Sequence, residues 1–221
     1  MTPSDTGPAE PAALAFRAHS GWAVAVAVRC TSAGLEIIQR TRIELADRTI
    51  AGSMQPYHAA KTKTLQEAEA FLSHCAQTGS DMAQRALREM IADLLNEGLT
   101  PIGFCVLWGS GKLSVDLATT LRSHAAIHTA EGEFFRQMLK AGCEACGGPV
   151  FSFKEKTLWT EATTTLSLSA REIQDRVAKI GKRIGPPWRQ DEKLCTLAAW
   201  MILSIDRTSR EVAGRTSHGH G

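Results

Sequence analysis

Leu14–Leu45, LAFRAHSGWAVAVAVRCTSAGLEIIQRTRIEL, reads as three strands in a row. Leu14–Ala18 is a short apolar run, and His19-Ser20-Gly21 is a turn signal. Trp22–Val28 then alternates Val24, Val26 and Val28 with alanines. β-Branched residues at every second position put one face of a strand in a core, so this pattern predicts a half-buried strand. Thr31-Ser32-Ala33-Gly34 is the next turn, and Leu35–Leu45 reads as a third strand. Turns this short join antiparallel neighbours. The stretch is therefore a three-stranded meander.

Outward from it, Met1–Ala13 is rich in Pro, Ala and Ser without periodicity and is expected to be a disordered tail. Asp47–Lys63 is a connection with Gly52 and Pro56. Thr64 followed by Glu67 has capping-box spacing and opens a helix towards Gln77. Gly79-Ser80 is a point of kink or break before a second helical piece, Asp81–Glu97, closed by Gly98. Pro101–Trp108, PIGFCVLW, has no polar face, which suits a strand buried on both sides and paired in parallel with Leu14–Ala18. Leu113–Leu121 and His124–Ala141 read as helical, Gly142–Pro149 as a loop, and Val150–Trp159 as a last strand. Ser169 with Glu172 caps a helix to about Ile184, and Asp191–Ile205 is the final helix. Asp206–Gly221 is polar and expected to be a flexible tail, leaving 14–205 as one domain.

Hydrophobic residues make up 43% of the 221-residue chain and charged ones 22%, enough to bury a core. A net charge of +2 supplies no global basic field, so any nucleic-acid contact must come from a local patch. The opening residues lack the pattern of a signal peptide, and no run is apolar enough to span a membrane. The six cysteines are spread along the chain, mostly in apolar surroundings. These features together suit a cytoplasmic protein.

Element order, β-β-β-α-β-α-β-α, implies an α/β fold: a mixed five-stranded sheet with helices on both faces, in three layers. Three stretches carry a family resemblance: LAFRAHSGW leading into AVAVAV, PIGFCVLW leading into LATTLRSHAAI, and the closing DEKLCTLAAWMIL. The chain resembles the ribonuclease H-like superfamily, nearest to Holliday-junction resolvases of the RuvC kind. That resemblance covers roughly residues 14–205. It implies a nucleic-acid-related protein acting on structured or branched DNA, with two Mg²⁺ held by carboxylates from the first strand, the central strand and the last helix. The residues depart from the pattern: His19 and Ser20 stand at the first position, and Val106, Leu107 and Trp108 at the second. Only the last helix offers acids, Asp191 and Glu192, which the helix macrodipole also favours there without any metal.

Replacement ligands come from H-x3-H-x2-E, His124, His128 and Glu131, which helical spacing puts on one face. The expected cofactor is a divalent metal, Mg²⁺, Mn²⁺ or Zn²⁺; two imidazoles with a carboxylate suit Zn²⁺ or Mn²⁺, and a solvated polar face explains the same spacing. Glu133 lies off that face and is expected in solvent. The candidate catalytic set is His19, Ser20, His128, Glu131 and Asp191, and the candidate metal ligands are His124, His128, Glu131 and Asp191. Cys143-x2-Cys146 lacks a second pair for a structural zinc; His218 and His220 complete it only if the tail folds back. Gly109-Ser-Gly-Lys112 lacks phosphate-loop spacing and reads as a turn. Lys179, Lys182, Arg183 and Arg189 form the densest basic cluster, beside Trp188, which either stacks on a base or caps the core.

The functional expectation is a nucleic-acid-related protein resembling RuvC-type resolvases, with a degraded or rebuilt metal site. If active, it is a metal-dependent hydrolase of the nuclease kind. The alternative is a catalytically silent scaffold that keeps the fold for partner binding or homodimerisation. A phosphate-binding ATPase lobe shares the strand order, but one copy of the unit is too short for a two-lobed enzyme and no Gly-rich loop follows the first hairpin.

Overall fold

The structure, a computed structural model, describes residues 9–109, 111 and 116–217, with side chains through residue 210. Three strands open it: β1 (Glu10–His19), β2 (Trp22–Thr31) and β3 (Gly34–Glu44). They are followed by α1 (Pro56–Ala60), α2 (Leu65–Asn96) and β4 (Leu99–Val106). Next come α3 (Leu117–Arg122), α4 (His124–Ala145) and β5 (Val150–Phe151). The chain closes with α5 (Leu158–Leu166), α6 (Ala170–Ile184) and α7 (Gln190–Ser217). Sheet order is β3-β2-β1-β4-β5. β1 pairs antiparallel with β2 and parallel with β4, and β2 pairs antiparallel with β3, as the meander and the apolar fourth strand lead one to expect.

The meander's valine–alanine alternation buries both faces of β2, not one. Val24, Val26 and Val28 pack with α5, α6 and α7, while Ala23, Ala25 and Ala27 pack with α2 and α4. Small side chains on the second face let large neighbours such as Leu87 and Met138 approach the sheet. Helices therefore cover both faces, and β1 runs through the middle with Ala12–Phe16 inaccessible to solvent.

Several boundaries differ from the sequence reading, each for a local reason. β1 begins at Glu10, so residues 10–13 of the expected tail join the sheet; Glu10 N–H bonds the Gly98 carbonyl at 3.2 Å. α2 runs unbroken through Gly79. A Cβ there would come within 2.5 Å of the Leu45 carbonyl and strike Met138, so the glycine permits a close crossing and does not break the helix. α4 continues to Ala145, which makes Cys143 a buried core thiol, not a loop residue. The expected strand Val150–Trp159 ends after two residues. Glu155 turns to an ion pair, and Leu158 and Ala162, four apart, bury one face of α5. α7 extends through Ser217, well past the expected Ile205, with an Arg210–Asp206 pair at i,i+4. Met1–Pro8, Ser110, Lys112–Val115 and the final residues with His218 and His220 lie outside the described residues. No helix among the described residues is long and apolar enough to cross a membrane.

Candidate functional site

β1 and β4 run in parallel, so the loops after them open at one end of the sheet, where ligands collect in open α/β folds. β1 delivers Arg17 and His19 to that end, and α7 brings Asp191 in its first turn. Arg17 is half-buried. Its Nε and Nη2 donate to Glu155 Oε2 at 3.1 and 2.8 Å, and its Nη1 donates to Asp191 Oδ1. His19 Nε2 lies 3.1 Å from the other oxygen, Asp191 Oδ2. One guanidinium thus ties a carboxylate after β5 to a carboxylate on α7. Burial alone would lower the Arg17 pKa, but hydrogen bonds and charge from Glu155 and then Asp191 outweigh it, and the guanidinium is held above its ordinary value.

His19 also stacks on Trp22, with ring centroids 4.2 Å apart and planes 13° from parallel. The Arg42 guanidinium sits 4.1 Å from the Trp22 ring centroid. Ser20 is exposed in the turn between His19 and Trp22. Its neighbour Gly21 has φ +80°, and a Cβ there would come within 2.5 Å of the Met54 thioether, so the turn packs against the connection leading to α1.

The second constellation lies on the other face of the sheet. Gly111, after β4, abuts Thr129 of α4, so the first half of α4 also sits at the carboxyl end of the parallel strands. There His124 and His128 face each other, their Nε2 atoms 3.0 Å apart, and His58 of α1 completes a group of three. Glu131 lies behind them, 3% exposed: it accepts from the His58 backbone N–H at 3.2 Å and meets His58 Nδ1 at 2.9 Å.

The expected site residues therefore divide. His19 and Asp191 meet each other; His128 meets His124, and Glu131 joins them through His58. Among the described residues, the three histidines form the group with metal-ligand spacing, and neither Asp191 nor Glu131 is a member of it. Glu133, expected in solvent, is buried and bonded to Arg136 and Gln137. Trp188 lies against Gly181 of α6, where an added Cβ would strike its ring, and packs with the second core cluster. Three partners were not singled out from sequence. Arg17 was visible as a lone cation in an apolar strand, a residue type that is buried only when paired. Glu155 lies in a stretch that reads as a strand and His58 in the connection before Thr64, and neither position carries such a signal.

No family model and no curated protein matches the sequence. Solved structures do match. A structure of RuvC from Thermus thermophilus aligns with a TM-score of 0.52 at 10% identity, covering 90% of this chain and 96% of that one. The same protein in complex with Holliday junction substrate gives 0.52 and 10%, covering 89% and 96%. The chain has the ribonuclease H-like fold of RuvC. At that identity the likeness is one of fold, and the chemistry rests on the side chains present. Two Mg²⁺, which this fold class implies, do not fit them. Mg²⁺ takes an octahedral shell of oxygens, whereas Asp191 and Glu155 are already bridged by Arg17, and His19 supplies nitrogen.

Within the ribonuclease H-like fold, positive charge gathers in a further place. A cavity of about 790 Å³ between the β2–β3 turn, α6 and α7 is lined by Arg176, Lys179, Arg183 and Arg207, and by no acid among the described residues. Arg183 also donates to the Leu35 carbonyl at 3.2 Å, which fixes that side chain at the cavity wall.

Proposed function

We propose that the protein binds structured or branched nucleic acid through its ribonuclease H-like fold and does not cut it by Mg²⁺-dependent hydrolysis. The observation that carries this reading is Arg17, which bridges Glu155 and Asp191 at the end of the sheet where hydrolysis would be expected. A two-ion mechanism needs carboxylates free to hold both ions against the attacking and leaving oxygens. Here a protein-borne cation takes their charge. Binding is supported by two surfaces. The His19–Trp22–Arg42 stack offers aromatic and guanidinium planes of the kind on which bases stack. The cation-lined cavity suits phosphate oxygens.

The test is fluorescence anisotropy with a labelled four-way junction and a duplex of equal length, run beside a cleavage gel in Mg²⁺ and in Mn²⁺. The reading expects salt-sensitive binding and no Mg²⁺-dependent product. Cleavage in Mg²⁺ that disappears in Asp191→Asn contradicts it. No binding to either DNA also contradicts it, and leaves a silent scaffold for a protein partner.

A further inference from the structure

We propose that His58, His124 and His128 form a binding site for a transition-metal dication of the Zn²⁺ class, with Glu131 as the carboxylate that orients His58. The site is separate from the Arg17 network, and the inference does not depend on nucleic-acid binding.

Geometry supports it first. One ligand nitrogen from each of the three rings lies within 4.8 Å of the others. Nitrogens about 2.0–2.1 Å from a tetrahedral ion stand about 3.3 Å apart. The His124 and His128 nitrogens are already 3.0 Å apart, and both of these rings are exposed. The rings lie edge to face, with centroids 4.4 to 5.6 Å apart, and do not stack.

Glu131 supplies the second, independent support. A carboxylate 3% exposed is costly to bury unless its oxygens are satisfied. Both are satisfied by one residue, His58, through its backbone N–H and its Nδ1. This contact orients the ring and leaves Nε2 for a ligand. A carboxylate behind a ligating histidine is the usual way in which a metal site orients its imidazole. A merely solvated polar face has no need of such a buried partner.

Three neutral imidazoles with a fourth position open suit Zn²⁺ or Co²⁺ better than Mg²⁺, which prefers oxygen. A bound ion would also clip α1, a five-residue helix in a long connection, onto α4.

The full chain carrying His218→Ala and His220→Ala, which removes the tail imidazoles as competitors, is stripped with chelator and titrated with Co²⁺ and Zn²⁺. The proposal expects one Co²⁺ per chain, with visible d–d bands of a nitrogen-ligated ion and no thiolate charge-transfer band. Zn²⁺ displaces it and raises the thermal midpoint. Glu131→Gln weakens Zn²⁺ binding about 10–100-fold, and His124→Ala or His128→Ala weakens it further. These two histidines are exposed, so their variants retain the fold, checked by circular dichroism. Absence of the Co²⁺ spectrum in the parent, or unchanged affinity in both single-histidine variants, overturns the site.

Discussion

At the scale of single residues, Arg17 ties together two carboxylates from separate parts of the chain. It contributes to stability, because its removal strands two half-buried carboxylates. Arg17→Met keeps the aliphatic bulk and should cost about 1–3 kcal/mol, the range for losing a partner of a partly shielded charged hydrogen bond. The side chains of Arg17, Glu155 and Asp191 are 23%, 25% and 16% exposed, which places the loss below that of a fully buried pair. Urea denaturation measures it. Pairing Arg17→Met with Asp191→Asn should recover part of the loss, whereas strict additivity would mean the two residues are not coupled. Thiols offer an independent check on burial. Burial pushes Cys105 up to about 12 and holds Cys195 and Cys143 well above an ordinary thiol. These three carry almost no thiolate at pH 8, while Cys30 is exposed and Cys146 is partly so. A disulfide reagent should label Cys30 and Cys146 in the native protein and all six cysteines in denaturant. Rapid native labelling of Cys105 would contradict the packing of β4. At this scale the sequence revealed only part of each constellation: Arg17 and Glu155 were missed in one, and His58 in the other. His19, Asp191, His124, His128 and Glu131 are chemically conspicuous types, but which of them meet depends on long-range contacts such as His58 with Glu131, 73 positions apart.

At the scale of elements, legibility followed the strength of local signals. The meander was readable because β-branched alternation and short turns act within a few residues. Both capping boxes were readable for the same reason: Thr64 with Glu67, and Ser169 with Glu172, form as their spacing implies. Ser169→Ala should cost about 1 kcal/mol of stability. Its pH dependence has a definite sign. Hydrogen bonds from the Ser169 hydroxyl and then its backbone N–H hold Glu172 below the usual carboxylate range. A depressed folded-state pKa means that the contribution is present at neutral pH and is lost as pH falls through the folded value. The gap in thermal midpoint between parent and Ser169→Ala should therefore narrow on acidification below the ordinary glutamate range; a gap that widens there would contradict the assignment. Weaker signals misled. Val150–Trp159 alternates like a strand, but Glu155 is drawn to Arg17 and Leu158 and Ala162 to the second core, so tertiary contacts override the local pattern. The polar end of α7 carries no apolar stripe, and what favours helix there is an i,i+4 ion pair and the preceding buried turns.

At the scale of the whole molecule, a net charge of +2 says little, since the cations are distributed unevenly. Arg176, Lys179, Arg183 and Arg207 line one cavity, and Arg42 lies with Trp22 and His19 at the strand end. If phosphates engage the cavity, log affinity for DNA falls linearly with log salt, by about 0.9 per phosphate neutralised. Lys179→Ala should lower that slope by about one such step, and Trp22→Ala should weaken binding without changing the slope. An unaltered affinity in both variants would mean that nucleic acid is held elsewhere. The role proposed for Arg17 is to neutralise Asp191 and Glu155 and so to close the strand-end centre to Mg²⁺. Its most direct test is a single-turnover reaction with excess protein, a labelled four-way junction and Mg²⁺, resolved on a denaturing gel. The junction should be bound and left uncut. Mg²⁺-dependent cleavage by the parent, abolished in Asp191→Asn, would contradict it.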